Sequence, residues 1–256
     1  MTKLILTDLD HTLLRQDGSI SDHTLEVLAK CREQGMKFAI ATARYWIGAE
    51  RYIDMLKPDY EITTDGTLIH SDVACLYSCC MTPEVTELIV RSLLEEVPGV
   101  EITVAVGKTV YWNSLHISES EKLHKATYCD YSAALDVAAN KIVAELPDES
   151  IAQKIADKAG CRLQCFRGEK WYAFVPLGSG KTSAIRELSR KTGISLSDIV
   201  SFGDDDNDIE MLKMCGIGVA VSNAIPSVLE IADEVTLSND EDGVAHWLSQ
   251  NFLLTQ

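Results

Sequence analysis

The sequence predicts an α/β fold: a parallel-sheet core that is discontinuous along the chain, interrupted by an inserted α+β unit. Three observations carry this. Short apolar runs alternate with helix-length amphipathic stretches from the first residues onward. Between about residues 83 and 178 the style changes to strands that meet through short turns. From residue 181 the strand-then-helix rhythm resumes and runs to the end. The core is therefore expected over 1–82 and 179–256, with the insert over 83–178.

Residues 3–7 are expected to form a short buried strand, with Asp8-Leu9-Asp10-His11-Thr12 at its end. Ser21 is a good N-cap for a helix that carries Val27, Leu28 and Cys31 on one face and stops at Gly35. Residues 37–41 form the next strand, followed by Thr42-Ala43-Arg44 and a helix over about 45–56 that Pro58 closes. A third strand over 60–64 leads through a hairpin-type turn at Asp65-Gly66 to strands at 67–70 and 74–77. In the insert, a helix over 83–96 precedes runs 101–106 and 108–112, which flank Gly107 as in an antiparallel hairpin. A strand at 141–145, a helix at 150–159 and two strands meeting at the turn Arg167-Gly168-Glu169 complete it. Back in the core come a helix at 181–191, a strand at 198–202 and a helix over about 207–214. A strand at 218–221, a helix opened by Pro226, a strand at 234–237 and a helix at 243–250 follow.

Composition narrows the function. With 256 residues, 46% of them hydrophobic and 24% charged, the chain has ample core for an ordinary globular protein. A net charge of −16 argues against nucleic acid as a partner, because an acidic surface repels phosphate backbones. Apolar runs fall far short of the roughly 20 residues that span a bilayer, so no membrane association is expected. The first strand begins too early to leave room for a signal peptide, and a cytoplasmic location is expected. The eight cysteines lack zinc spacing and are expected to be reduced, mostly buried as small hydrophobes. The histidines are scattered without ligand spacing, and Trp112, Trp171 and Tyr172 are expected to pack the insert.

Four polar clusters fall just after predicted core strands or at a helix start: Asp8/Asp10, Thr42, Lys181 and Asp204/Asn207/Asp208. Asp8 and Asp10 alone point first to an active site, with an ordinary acidic turn as the alternative; the other three clusters decide. Strand ends of a parallel sheet converge on one edge, where ligands bind. Carboxylates gathered there cannot all stay ionised without a cation. Hard oxygen ligands without His or Cys suit Mg²⁺, which also takes water and phosphate oxygens, so the chemistry points to phosphate.

Asp8-Leu9-Asp10-His11-Thr12, Ala41-Thr42-Ala43-Arg44, Lys181 and Gly203-Asp204-Asp205-Asp206-Asn207-Asp208-Ile209-Glu210-Met211 resemble, in that order, the four motifs of the haloacid dehalogenase superfamily of phosphatases. Their spacing is similar to the Cof-type branch, with a large α/β cap between the second and third motifs. The resemblance implies a Rossmann-like catalytic core and Mg²⁺-dependent hydrolysis of a small phosphate monoester, such as a sugar phosphate. Asp8 would be the nucleophile, forming an aspartyl-phosphate, and Asp10 the general acid and base. The side chains of Asp8 and Asp204 and the carbonyl of Asp10 would hold Mg²⁺. The Thr42 hydroxyl, the backbone N–H groups of Leu9 and Ala43, Lys181 and Asn207 would bind the phosphoryl oxygens. Asp208 would orient Lys181 or a metal-bound water. The same aspartate would serve a phosphomutase. A phospho-ligand-binding regulator on this fold is the reading outside catalysis, and such a protein is expected to lack Asp8 or Asp10.

Departures from the family pattern bear on specificity. His11 and Ala43 stand where Gly is usual, Thr182 where Gly is frequent, and Asp65-Gly66-Thr67 where an Asn-Gly-Ala-like turn is common. The charge of Asp65 is expected to alter substrate preference. Arg44 and Arg167 are candidates for substrate contact, and Asp240-Glu241-Asp242 reads as a solvated helix start. Two decoys fail. Gly178-Ser179-Gly180-Lys181-Thr182 resembles a P-loop, but Val175 stands where its first Gly belongs. Asp204-Asp205-Asp206 opens like a calcium loop, but Ile209 and Cys215 replace the required Gly and Glu. The leaving group of the substrate and the oligomeric state are encoded in no motif.

Overall fold

The computed structural model describes residues 2–120, 123–166 and 170–253; the expected turn at Arg167-Gly168-Glu169 lies outside the described residues. The first part of the chain runs β1 (Leu4–Thr7), α1 (Asp22–Glu33), β2 (Lys37–Ala41), α2 (Trp46–Leu56), β3 (Tyr60–Thr63), β4 (Leu68–His70) and β5 (Cys75–Ser78). The middle part contains α3 (Pro83–Glu96), β6 (Ile102–Val106), β7 (Thr109–Trp112), β8 (Thr127–Tyr128), β9 (Lys141–Glu145), α4 (Glu149–Ala159), β10 (Arg162–Cys165) and β11 (Trp171–Val175). The last part holds α5 (Lys181–Thr192), β12 (Ile199–Gly203), α6 (Ile209–Met214), β13 (Ile217–Val221), α7 (Pro226–Ile231), β14 (Glu234–Thr236) and α8 (Gly243–Leu248).

Two sheets form. The first has the order β14-β13-β12-β1-β2-β3-β4-β5, parallel from β14 to β3 and antiparallel over β3-β4-β5. Strand alternation divides its core. Ile5, Phe38, Ile40, Val200 and Phe202 pack on one face with Val27, Leu28, Tyr52 and Trp247. Leu4, Leu6, Ala39 and Ala41 pack on the other with Ala184, Ile185, Leu188 and Met211. Helices thus cover both faces, as a parallel sheet requires. β1 lies at the centre, fully buried, and delivers Asp8 to the carboxyl edge.

The second sheet, β10-β11-β9-β6-β7-β8, is antiparallel except where β8 joins β7. Ile102, Val104, Ile142, Ala144 and Phe174 pack against Ile89 and Leu93 of α3 and Ile155 of α4. Alternate residues, including Thr103, Ala105, Lys141 and Gln164, point from its other face toward the first sheet. Ala105 and Val110 pack on Ile47 of α2, and Tyr45 Oη and Thr103 Oγ1 are 2.8 Å apart. The molecule is therefore an α/β core capped by an inserted α+β unit. Asn140 pins the cap to its connecting segment by donating to Ser78 Oγ and the Cys79 carbonyl, each at 3.0 Å. No helix among the described residues is long and apolar enough to cross a membrane.

Local chemistry explains several departures from the expected elements. The helix expected over 207–214 divides into a tight turn at Asp206–Asp208 and a short α6, because Asp205 caps the turn and its carbonyl accepts from Asp208 N at 2.8 Å. The acidic run Asp240–Asp242 is not merely solvated. Arg15 grips both oxygens of Asp242, Nη2 at 2.8 Å from Oδ2, and Gln16 N donates to Asp240 Oδ1 at 2.9 Å. The cysteines are free thiols, but only Cys31 and Cys215 are buried, and Cys75, Cys80 and Cys165 are exposed because they sit on edge strands or connecting segments. The expectation of mostly buried cysteines is corrected accordingly.

Candidate active site

The site forms where β1, β2 and β12 end and α5 begins. Asp8 follows β1 and is tied to the neighbouring strand by donation from its N–H to the Phe202 carbonyl at 3.0 Å. Beyond it the chain makes a wide turn over Leu9–Leu13, closed by Leu14 N donating to the Leu9 carbonyl at 2.8 Å. His11 enters the left-handed region (φ 61°) with its side chain exposed. This turn lets Leu9 anchor in the core while Asp8 and Asp10 remain at the edge.

Thr42 follows β2 and is buried, its N–H donating to the Ile62 carbonyl at 2.9 Å and its hydroxyl accepting from Arg44 N at 3.1 Å. Lys181 opens α5 after Gly180. Gly203 ends β12 against Asp208: a Cβ built on it would stand 2.5 Å from the Asp208 Cβ. Only glycine allows the Asp204–Asp208 loop to fold back so closely.

Lys181 joins the pieces. Its Nζ donates to Asp8 Oδ1 at 2.5 Å and to Asp208 Oδ1 at 2.7 Å, and all three side chains are buried. Asp208 Oδ2 accepts from the N–H groups of Asp204 and Asp205, at 3.1 and 3.3 Å. Burial pushes the Asp8 carboxyl well above its ordinary range; Lys181 opposes the rise, while Asp208 and Asp204 add to it. Burial likewise pushes Asp204 up to about 6, with the Thr12 hydroxyl opposing and Asp208 adding. Burial alone would lower Lys181, but Asp208 and Asp8 raise it above the ordinary lysine value, so it stays an ammonium.

Asp8, Asp204 and Asp208 each place one oxygen within 4.8 Å of the others. One ammonium does not balance three buried carboxylates, and the neighbouring carboxylates add to the rise that burial gives Asp8 and Asp204. A buried, all-oxygen donor set with surplus negative charge fits a hard divalent cation.

Asp10 is turned away from this cluster: its carboxylate accepts from Arg44 Nε at 2.7 Å and Nη2 at 2.5 Å. Arg44, expected as a substrate contact, therefore grips Asp10. Ala43 sits beside Thr42, and Asn207 is exposed on the turn after Asp205. Arg167 lies outside the described residues. Two contributors escaped the sequence reading. Thr12 Oγ1 donates to Asp204 Oδ1 at 2.5 Å, across 192 residues. From the cap, Lys141 reaches Asp65 and the Ala43 carbonyl. Thr12 had a signal, since it stands within the first motif; Lys141 had none, because it opens an ordinary strand.

A discontinuous parallel-sheet core, an inserted cap and a buried carboxylate–lysine cluster at the strand ends define a class of hydrolase. The model for haloacid dehalogenase-like hydrolases matches residues 5–248, and the chain belongs to that family, in its Cof-type branch. It is similar to the 5-amino-6-(5-phospho-D-ribitylamino)uracil phosphatase YitU of Bacillus subtilis (strain 168), 26% identical over 265 residues that cover 98% of each chain. An HMP-PP phosphatase of Enterobacter sp. (strain 638) is 26% identical over 274 residues, 98% of this chain and 97% of the relative. Among solved structures, a haloacid dehalogenase-like hydrolase from Bacteroides thetaiotaomicron superposes with a TM-score of 0.84 at 25% identity, covering 98% of this chain and 100% of that one.

Proposed function

We propose that the protein is a Mg²⁺-dependent phosphatase that hydrolyses a small phosphate monoester, a sugar phosphate or similar metabolite, through an aspartyl-phosphate on Asp8. The observation that carries this reading is the buried contact of Lys181 with Asp8 and Asp208 at the end of β1. It sets a carboxylate nucleophile beside a fixed cation where phosphoryl charge must be held. The core over 1–82 and 179–256 carries the chemistry, and the cap over 83–178 covers it.

In the first step an Asp8 oxygen attacks phosphorus, the bond from phosphorus to the ester oxygen breaks, and Asp10, released from Arg44 and protonated as the substrate enters, gives that proton to the leaving oxygen. In the second, Asp10 takes a proton from water as that water attacks the same phosphorus. Phosphate leaves and Asp8 is restored. Lys181, the Thr42 hydroxyl, the N–H groups of Leu9 and Ala43 and the Asn207 amide hold the phosphoryl oxygens. Asp208, engaged by Lys181 and two backbone N–H groups, acts by positioning that lysine. Asp8 and Asp204, with the Asp10 carbonyl, would hold Mg²⁺, which when bound neutralises both carboxyls and draws charge from the phosphoryl oxygens. Arg44 holds the Asp10 carboxylate until substrate enters.

The test is phosphate release from a panel of small phosphate esters, with Mg²⁺ or with chelator, by the wild type and by Asp8→Asn. Release by the wild type alone, and only with Mg²⁺, is expected. Equal inertness of both proteins across the panel would sink the reading, and isomerised product without free phosphate would replace it with a mutase.

A further inference from the structure

Lys141 opens β9 on the face of the cap sheet that looks at the core, and it is buried there with Asp65. Its amine donates to Asp65 Oδ2 and, at 3.2 Å, to the Ala43 carbonyl. Gln164 Nε2 donates to the other oxygen, Asp65 Oδ1, at 3.2 Å. The rings of Tyr45 and Phe166 flank the ammonium, with centroids at 5.2 and 5.1 Å. The preceding residue, Asn140, is anchored to the connecting segment, so the height of Lys141 over the core is fixed.

Asp65 belongs to the same wall as the catalytic groups. It lies in the turn between β3 and β4, where Thr64, Asp65 and Gly66 all take positive φ. Thr64 N donates to the Arg44 carbonyl at 2.7 Å, and Gly66 packs so closely on Gly180 that a Cβ would stand 2.3 Å from its carbonyl oxygen. The turn is therefore wedged between the residue after Ala43 and the residue before Lys181. Through its contact with the Ala43 carbonyl, the Lys141–Asp65 pair stands on the residue whose N–H is assigned to the phosphoryl oxygens.

We propose that Asp65 determines specificity on the leaving-group side: by neutralising Lys141, it restricts the enzyme to phosphate monoesters whose leaving group carries no second anionic group. This rests on the phosphatase reading above. Lys181 is matched by Asp8 and Asp208, Arg44 by Asp10, and Lys141 by Asp65. A second phosphate or carboxylate on the substrate meets the charge of Asp65 and finds Lys141 already engaged. Neutral hydroxyls meet no such repulsion and find hydrogen-bonding groups in Asp65 and Gln164. Selectivity of this kind comes from a repulsive element. Removing the carboxylate charge leaves a buried ammonium in want of an anion, which a second substrate phosphate would supply.

The experiment compares kcat/KM for a sugar monophosphate and the corresponding sugar bisphosphate in the wild type, Asp65→Asn, Lys141→Met and the double variant. Asparagine tolerates the left-handed backbone at residue 65, so the exchange changes charge with little change of shape. Asp65→Asn is expected to raise the bisphosphate-to-monophosphate ratio about tenfold or more. Lys141→Met, which leaves Asp65 unmatched, moves the ratio the other way, so the outcome does not hang on one variant folding. The double variant returns it to near the wild-type value. An unchanged ratio in both single variants, or a raised ratio that survives in the double variant, overturns the proposal while the phosphatase reading stands. The monophosphate is the one the wild type hydrolyses fastest in the panel above; if the wild type hydrolyses no ester of that panel, the phosphatase reading falls and the proposal with it.

Discussion

Lys181 is the residue on which the electrostatics of the site turn. It is buried between Asp8 and Asp208, and its charge is the local compensation that the structure supplies for that pair. Lys181→Met deletes that compensation and is expected to cost about 3 kcal/mol of stability, because a buried ion pair stripped of one partner leaves an uncompensated charge. Urea unfolding in chelator reads the cost, and phosphate release should vanish with it. Thr12 acts at one remove, orienting Asp204 through its hydroxyl. Thr12→Val keeps the shape and removes the hydrogen bond. It should raise the Mg²⁺ concentration needed for half-maximal activity about tenfold, the usual effect of losing a group that orients a metal ligand. An unchanged Mg²⁺ requirement would show that the Thr12 hydroxyl does not orient Asp204 for the metal.

The turn between β3 and β4 is where an element, rather than a side chain, sets the site. At Gly66 the backbone has φ +76° and lies against Gly180, so any side chain must displace the start of α5. Gly66→Ala is expected to cost about 3–5 kcal/mol and to depress turnover, since Lys181 is displaced along with α5. Gly35, at φ +87° with nothing near its missing Cβ, gives the comparison: there the same exchange should cost only about 1 kcal/mol. His70, on β4, gives the structure a pH dependence. It is buried, its Nδ1 has no hydrogen-bond partner among the described residues, and burial followed by the charge of Lys108 lowers its pKa. The unfolded chain then binds the proton more readily than the folded one, so stability falls as pH drops below the ordinary histidine value of about 6.5. Thermal melts across pH 5–8 should show this loss, and His70→Gln should flatten that limb of the curve.

For the whole molecule, two sheets meet over one edge, and a ligand that belongs to that edge stabilises the fold by mass action. Mg²⁺ at about 100 times its dissociation constant should add close to 2.7 kcal/mol to unfolding free energy, visible as a rise in melting temperature that chelator reverses. Asp8→Asn/Asp204→Asn should lose most of that rise. A melting temperature indifferent to Mg²⁺ in the wild type would argue that the cluster at Asp8, Asp204 and Asp208 holds no divalent ion.

The sequence by itself determined the order of elements in the core and the polar groups at its strand ends. Both are local: apolar runs such as Leu4-Ile5-Leu6 fix a buried strand, and the polar residues that follow must emerge where that strand stops. Asp8, Thr42, Asp204 and Asp208 were legible for this reason, and Lys181 as the polar residue that opens a core helix. What only the tertiary structure decided are the pairings between distant groups. Thr12 reaches Asp204 across 192 residues, Arg44 closes on Asp10, and Lys141 descends from the cap onto Asp65. No periodicity records which cation will meet which carboxylate. That choice depends on sheet register and on how the cap seats over the core, and burial then gives each pairing its weight by removing the water that would otherwise screen it.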